Sequence, residues 1–202
     1  MTKIKVCGLK RQEDINYVNI LKPDYVGFVF AESKRKVSVN ECKELREKID
    51  KNIKVVGVFV NEDIHNLKYI SDFVGLDIIQ LHGDEDDKYI DKLKELNVWK
   101  AIRVKDHKSI NDIEKYNVQG ILLDTFSKKM YGGSGKIFDW NIVKELSHKR
   151  NIILAGGLSI ENVQEGISIV NPNIVDVSSG VETEGVKDFE KIKKFIEKVR
   201  SL

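Results

Sequence analysis

Eight short runs dense in Val and Ile, separated by stretches of helical periodicity, constrain this sequence more than any other feature. The runs are residues 4–7, 25–30, 54–60, 77–81, 98–104, 120–124, 151–155 and 174–178. They are mostly continuous rather than alternating, which is how parallel strands covered on both faces read. Between them, apolar residues recur at helix spacing: Ile15, Val18 and Leu21; Cys42, Leu45 and Ile49; Tyr89, Leu93 and Leu96; Trp140, Val143 and Leu146; Val163, Ile167 and Val170. A last helix carries Phe189, Ile192, Ile196 and Val199 on one side, with Lys191, Lys193 and Lys194 against Glu190 and Glu197 as a solvated face. Asn61 and Ser159 are the expected N-caps of the helices that follow them.

Eight βα units leave roughly 25 residues each, near the lower limit for a (β/α)8 TIM barrel. The competing architecture is an open doubly wound sheet. It favours a GxGxxG fingerprint after the first strand, and here the chain reads Cys7-Gly8-Leu9-Lys10. The expectation is therefore one α/β barrel of eight parallel strands over residues 1–202. Two prolines and no low-complexity tract offer no linker.

Charge excludes some functions. Lys and Arg total 34 against 32 Asp and Glu, a formal net charge of +2, so nucleic-acid binding by bulk electrostatics is not expected. Cys7 and Cys42 lack a paired metal spacing, and two cysteines make no disulfide scaffold. Lys3 and Lys5 interrupt the first apolar run and no signal-peptide core follows, while no run is long enough to span a membrane. A cytoplasmic protein with no membrane partner is expected. A monomer is favoured, with a homodimer as the alternative.

In such a barrel the strand C-termini and the loops after them build the active site. The strands here end at Cys7, Ser33-Lys34-Arg35, Asn61, Gln80-Leu81-His82-Gly83, Arg103, Asp124, Gly156-Gly157 and Asp176-Val177-Ser178-Ser179-Gly180. Each has a bland alternative. Cys7 reads equally as a small buried hydrophobe, and Cys42, on a helix stripe, is better read that way. Asp124 is either a turn cap or an acid kept protonated by the dry run Ile121-Leu122-Leu123 before it. His82 and Arg103 are candidates to touch a substrate, or a satisfied turn residue and half of an ion pair. Arg35, between Lys34 and Lys36, is a ligand residue or plain surface.

The glycine turns point to an anion. Gly156-Gly157 and Ser178-Ser179-Gly180 follow strands seven and eight, where backbone N–H groups approach a phosphate in barrels of this kind. Residues 125–137 contain Gly132-Gly133-Ser134-Gly135, a candidate lid over the site or an ordinary flexible connection. His82 is the one histidine at a strand end, so no metal site is expected.

These motifs together resemble the phosphoribosylanthranilate isomerase family. The likeness runs through Lys5-Val6-Cys7-Gly8, Gly27-Phe28-Val29-Phe30 with Ser33-Lys34-Arg35, and Val56-Gly57-Val58-Phe59-Val60. It continues through Gln80-Leu81-His82-Gly83, Leu122-Leu123-Asp124, Gly132-Gly133-Ser134-Gly135 with Phe138-Asp139-Trp140, Gly156-Gly157-Leu158, and residues 175–182. The resemblance implies an Amadori rearrangement of a small phosphorylated aminoaldose in tryptophan biosynthesis, without metal or organic cofactor. It implies Cys7 as general base, Asp124 as general acid, Arg35 on the anthranilate carboxylate, and the two glycine turns on the phosphate. A thiol base needs positive surroundings. Lys5 is expected to alternate away from Cys7 along the strand, which leaves the source of that field open.

Three alternatives share the phosphate turns. A metal-dependent epimerase would need more strand-end ligands. A histidine-pathway isomerase would carry an Asp where Cys7 stands. A non-catalytic phosphate-ligand sensor would not need Cys7 and Asp124 together.

Overall fold

A computed structural model describes residues 1–111, 113–125 and 138–202. Eight parallel strands close into a barrel in sequence order: β1 (Lys3–Cys7), β2 (Tyr25–Val29), β3 (Lys54–Phe59), β4 (Ile78–Leu81), β5 (Val98–Val104), β6 (Gly120–Thr125), β7 (Ile152–Leu154) and β8 (Ile174–Val177). Closure comes from β1 pairing with β8, with Lys5 opposite Asp176 and Val6 opposite Val177. The α-helices are α1 (Gln12–Leu21), α2 (Val39–Arg46), α3 (Ile64–Val74), α4 (Asp87–Asp91), α5 (Val163–Val170) and α6 (Phe189–Arg200). No helix among the described residues is long and apolar enough to cross a membrane.

Strand side chains alternate between faces, and the alternation produces two separate cores. Outward-facing residues such as Ile4, Val6, Val55, Ile79, Leu81, Ile121, Leu123 and Val175 pack against the helices. Inward-facing Val56, Ile78, Trp99, Ala101, Leu122, Ile153, Ala155 and Ile174 fill the barrel, with Tyr25 packed edge-to-face on Trp99 at 5.2 Å between ring centroids. Further along the strands the inward positions become polar, with Cys7 on β1 and Asp124 on β6. On α6 the expected Ile192, Ile196 and Val199 are buried and Lys193, Lys194 and Glu197 are exposed, while Phe189 is only partly buried and Phe195, outside the expected stripe, is buried.

Several local expectations change. The N-cap of α3 is Asp63, whose carboxylate accepts from the N–H groups of His65 and Asn66 at 2.9 and 3.0 Å. Asn61 instead adopts a left-handed backbone (φ 51°) and accepts the N–H of Asp84, tying the β3 loop to the β4 loop. Helix α5 starts at Val163 with Asn162 as its cap residue. Ser159 stands earlier in the turn, its N–H held by the Asn162 side chain at 2.8 Å. The spacing of Trp140, Val143 and Leu146 gives two 3-10 turns, Trp140–Ile142 and Leu146–His148, rather than an α-helix. A period of three satisfies either geometry, because both put such residues on one side. In the same way α4 ends at Asp91, before the Leu93 and Leu96 of its stripe. Past β8 an antiparallel pair, β9 (Glu182–Thr183) and β10 (Val186–Lys187), was not expected, and it folds back over the barrel end.

Candidate active site

Cys7 ends β1 facing inward and is 8% exposed. Its neighbour on β2 is Gly27, directly opposite in register. A Cβ on Gly27 would stand 2.7 Å from the Cys7 sulfur, so only glycine leaves room for the thiol here. The Cys7 carbonyl accepts from the Ser178 hydroxyl at 2.9 Å, and the next two N–H groups, of Gly8 and Leu9, both donate to Gly27. The thiol thus projects from backbone held on both sides.

Lys5 does not alternate away from Cys7. Residues two apart on a strand share a face, and Lys5 points into the barrel beneath Cys7, fully buried, with its ammonium 2.8 Å from Asp176 Oδ2. The other oxygen of Asp176 has no hydrogen-bond partner among the described residues. Burial opposes the Lys5 charge, but Asp176 and Cys7 outweigh it and hold Lys5 above its ordinary range. Burial pushes the Cys7 thiol up, and Lys5 is the largest influence in the other direction.

Asp124 stands on β6, 4% exposed. A chain of side chains orients it. Gln80 Nε2 donates to His82 Nδ1 at 2.8 Å, and His82 Nε2 lies 3.1 Å from Asp124 Oδ2. With Nδ1 accepting, Nε2 carries the proton and donates to Asp124 Oδ2. The second oxygen, Oδ1, accepts the N–H of Thr125 at 2.7 Å. Gly156 packs against this carboxyl: it has φ 80°, and a Cβ there would meet Thr125 N at 2.5 Å and Asp124 Oδ1 at 2.8 Å. Asp176 feels the charge of Asp124, so it links the β1 side of the mouth to the β6 side.

Arg35 is 9% exposed while Lys34 and Lys36 on either side are open to solvent. Its guanidinium forks onto Glu182 of β9, Nε to Oε1 at 2.7 Å and a second nitrogen to Oε2 at 2.9 Å. The Lys187 ammonium, also buried, donates to Glu182 Oε1 at 2.8 Å and to the Ser178 carbonyl at 3.0 Å. Burial pulls Glu182 up, but Arg35 and Lys187 together hold it below the usual carboxylate range. A bidentate Arg–carboxylate pair has fixed geometry, so Arg35 is presented toward Cys7 in one orientation, its charge felt by the thiol.

The two glycine turns lie side by side, bridged between Ser159 and Gly180. The N–H groups of Gly157 and Ser179 have no acceptor among the described residues, and Gly157 has φ 71°. Because the Ser178 hydroxyl is engaged with Cys7, what this turn offers a ligand is backbone N–H rather than that side chain. Arg103, one residue before the end of β5, lies opposite Asp124 in register and so on the same inward face, and it pairs with Asp84. Gly132, Gly133, Ser134 and Gly135 lie outside the described residues.

No role in the site was expected of Lys5, Asp176, Glu182, Lys187 or Gly27, although Asp176 stands in the eighth strand-end run. Strand parity was the available signal for three of them. Lys5 and Cys7 share one parity, as do Asp176 and Ser178, and Gly27 falls opposite Cys7.

The family model for N-(5'-phosphoribosyl)anthranilate isomerase matches residues 4–198. The chain is 54% identical over 202 residues to the N-(5'-phosphoribosyl)anthranilate isomerase of Thermoanaerobacter sp. (strain X514), covering 100% of both chains. Among solved structures it is similar to phosphoribosyl anthranilate isomerase from Thermotoga maritima, with TM-score 0.91, 37% identity and 100% of both chains covered. It is also similar to a phosphoribosyl anthranilate isomerase in complex with reduced 1-(o-carboxyphenylamino)-1-deoxyribulose 5-phosphate, with TM-score 0.88, 34% identity and the same full coverage. With the model spanning nearly the whole chain and the barrel superposing end to end, this chain belongs to the N-(5'-phosphoribosyl)anthranilate isomerase family, the isomerases of tryptophan biosynthesis.

Proposed function

We propose that the chain, residues 1–202 acting as a monomer, converts N-(5-phosphoribosyl)anthranilate to 1-(2-carboxyphenylamino)-1-deoxyribulose 5-phosphate through the two groups Asp124 and Cys7. The observation that carries the reading is their placement. A buried carboxyl and a buried thiol stand on separate strands, both facing into the mouth that the glycine turns border.

Asp124 gives its proton to the furanose ring oxygen. The bond from that oxygen to C1 breaks, and the aryl nitrogen's lone pair forms the C1 iminium. The Cys7 thiolate then removes the C2 proton, and the C2–H electron pair moves toward C1 and neutralises the nitrogen. The resulting enolamine gains a proton at C1 and loses the one on the C2 hydroxyl oxygen, leaving the ketone. No electrons enter or leave, so the substrate's nitrogen is the only electron sink required, with neither metal nor organic cofactor. A general acid and a general base are the groups such a sequence needs.

Arg35 holds the anthranilate carboxylate. The 5-phosphate sits on the N–H groups of Gly156-Gly157 and Ser178-Ser179-Gly180. His82 and Arg103 touch substrate on either side of Asp124, His82 through its hydrogen bond to that carboxyl and Arg103 from the register position opposite it. The relative solved with a reduced deoxyribulose phosphate supports this class of ligand.

The test uses the substrate's own fluorescence. Phosphoribosylanthranilate formed in situ from anthranilate and phosphoribosyl pyrophosphate should lose its signal when this protein alone is added. An unchanged signal, with substrate shown to be present, would overturn the reading. Arg35→Ala should raise KM roughly tenfold to a hundredfold with kcat little changed, since a charge-assisted contact is worth about 1.5–3 kcal/mol. Glu182 keeps Lys187 as a partner in that variant, so the fold should hold. An unaltered KM would move the carboxylate contact elsewhere.

A further inference from the structure

The thiol is the weak point of this chemistry, because burial disfavours its reactive charged form. Something in the site has to offset that cost. We propose that Lys5 is the positioning charge that sustains the Cys7 thiolate, held under it on the same face of β1 and anchored by Asp176 of β8. The inference rests on Cys7 being the base.

The geometry is specific. Lys5 and Cys7 are two residues apart on one strand, so the long Lys5 side chain runs up the barrel interior toward the thiol. It is fully buried, where an ammonium is found only with a partner. That partner, Asp176, takes it at 2.8 Å. One carboxylate oxygen therefore meets the ammonium from β8, and the sulfur is near enough that its charge and that of Lys5 act on each other.

The other charges facing the thiol are few. From β8 comes Asp176, which disfavours the thiolate. From β10 comes Lys187, and from the loop after β2 comes Arg35, each favouring it. Lys187 and Arg35 are both tied to Glu182, which offsets much of their charge. Lys5 is tied in turn to Asp176, yet it shares a strand face with the thiol two residues away, and its influence there exceeds those of Asp176 and Lys187. The proton that Sγ gives up leaves to solvent before substrate binds. The thiolate then accepts the C2 proton during turnover.

The two cysteines make this measurable. Burial pushes Cys42 up to about 12, and Cys42→Ala removes its signal altogether. In that background the thiolate absorbance of Cys7 is titrated, and its alkylation rate by iodoacetamide and the pH profile of kcat/KM are recorded. Lys5→Met should move the thiolate titration and the acidic limb of kcat/KM to higher pH, because a positive neighbour has been lost. Each unit of that shift lowers the thiolate fraction at neutral pH about tenfold, and alkylation should slow in step.

Removing one half of a buried pair endangers folding, so the double variant Lys5→Met/Asp176→Asn is measured beside it. It deletes the pair without leaving a lone buried carboxylate, and the titration should again move up, since the stronger of the two influences has gone. A folded Lys5→Met or double variant whose Cys7 titrates where the parent does would overturn the proposal. Cys7→Ala separates the two layers of the argument. If it keeps normal turnover, the base assignment fails while the titration still reports what Lys5 does to the thiol.

Discussion

Asp124→Asn should cut kcat by roughly 10²–10⁴-fold, the range found for removing a general acid, while the enzyme still binds substrate and product. That loss corresponds to about 3–5 kcal/mol of transition-state stabilisation. The substitution is close to isosteric, so the barrel has no cavity to absorb. The amide oxygen can still accept from His82 Nε2 or from the Thr125 N–H. What disappears is the proton for the ring oxygen, without which the C1–O bond has no good leaving group. A direct comparison of kcat with the product's Kd by titration checks this. Loss of kcat together with loss of product affinity would indicate a disordered mouth, and an enzyme with near-parent kcat would end Asp124's assignment as the acid.

Cys7→Ala should be nearly as severe, again roughly 10²–10⁴-fold in kcat, but should fail at a different step. Ring opening needs only Asp124, so the iminium should still form. Deprotonation at C2 should become rate-limiting, and a substrate carrying deuterium at C2 should then show a primary isotope effect larger than the parent's. The fold has little reason to suffer. Cys7 contributes one small side chain, and the contacts that hold its backbone, from Ser178 and Gly27, involve main-chain atoms of residues 7, 8 and 9. Turnover close to the parent's would sink the base assignment, whereas partial activity with the expected isotope effect would leave it standing.

The eight-strand barrel could be read from sequence because parallel strands covered on both faces leave a crude, repeated mark. All eight runs appear as strands within a few residues of their expected bounds. Cys7, Asp124, His82 and Arg35 could be named because they fall at or beyond strand ends, where the architecture says chemistry collects. What escaped was mostly relational. Lys5 was misplaced by one step of parity, an error that turned a cation on the thiol's own strand face into a residue facing elsewhere. Glu182 escaped because its importance comes from Arg35, which is 147 residues away in sequence. Asn61 has the chemistry of a cap, and no local pattern shows that Asp63, two residues on, takes that role and leaves Asn61 to bridge two loops. The 3-10 turns after β6 were missed because Trp140, Val143 and Leu146 fit either helix type.

Closure of the barrel between its first and last strands has a consequence for when the protein becomes competent. Lys5 meets Asp176, and Ser178 meets Cys7, across 171 residues of chain. Contacts that distant carry a high loop-closure cost and form late in folding. A nascent polypeptide that has emerged through β6 already owns Cys7 and Asp124, yet it lacks Asp176 to hold the Lys5 charge, Ser178 to clamp the Cys7 carbonyl, and Glu182 to seat Arg35. On the ribosome, then, the two side chains stand without the framework that positions them until the final βα unit arrives. Synthesis of the C-terminal end completes a mouth whose first wall is β1.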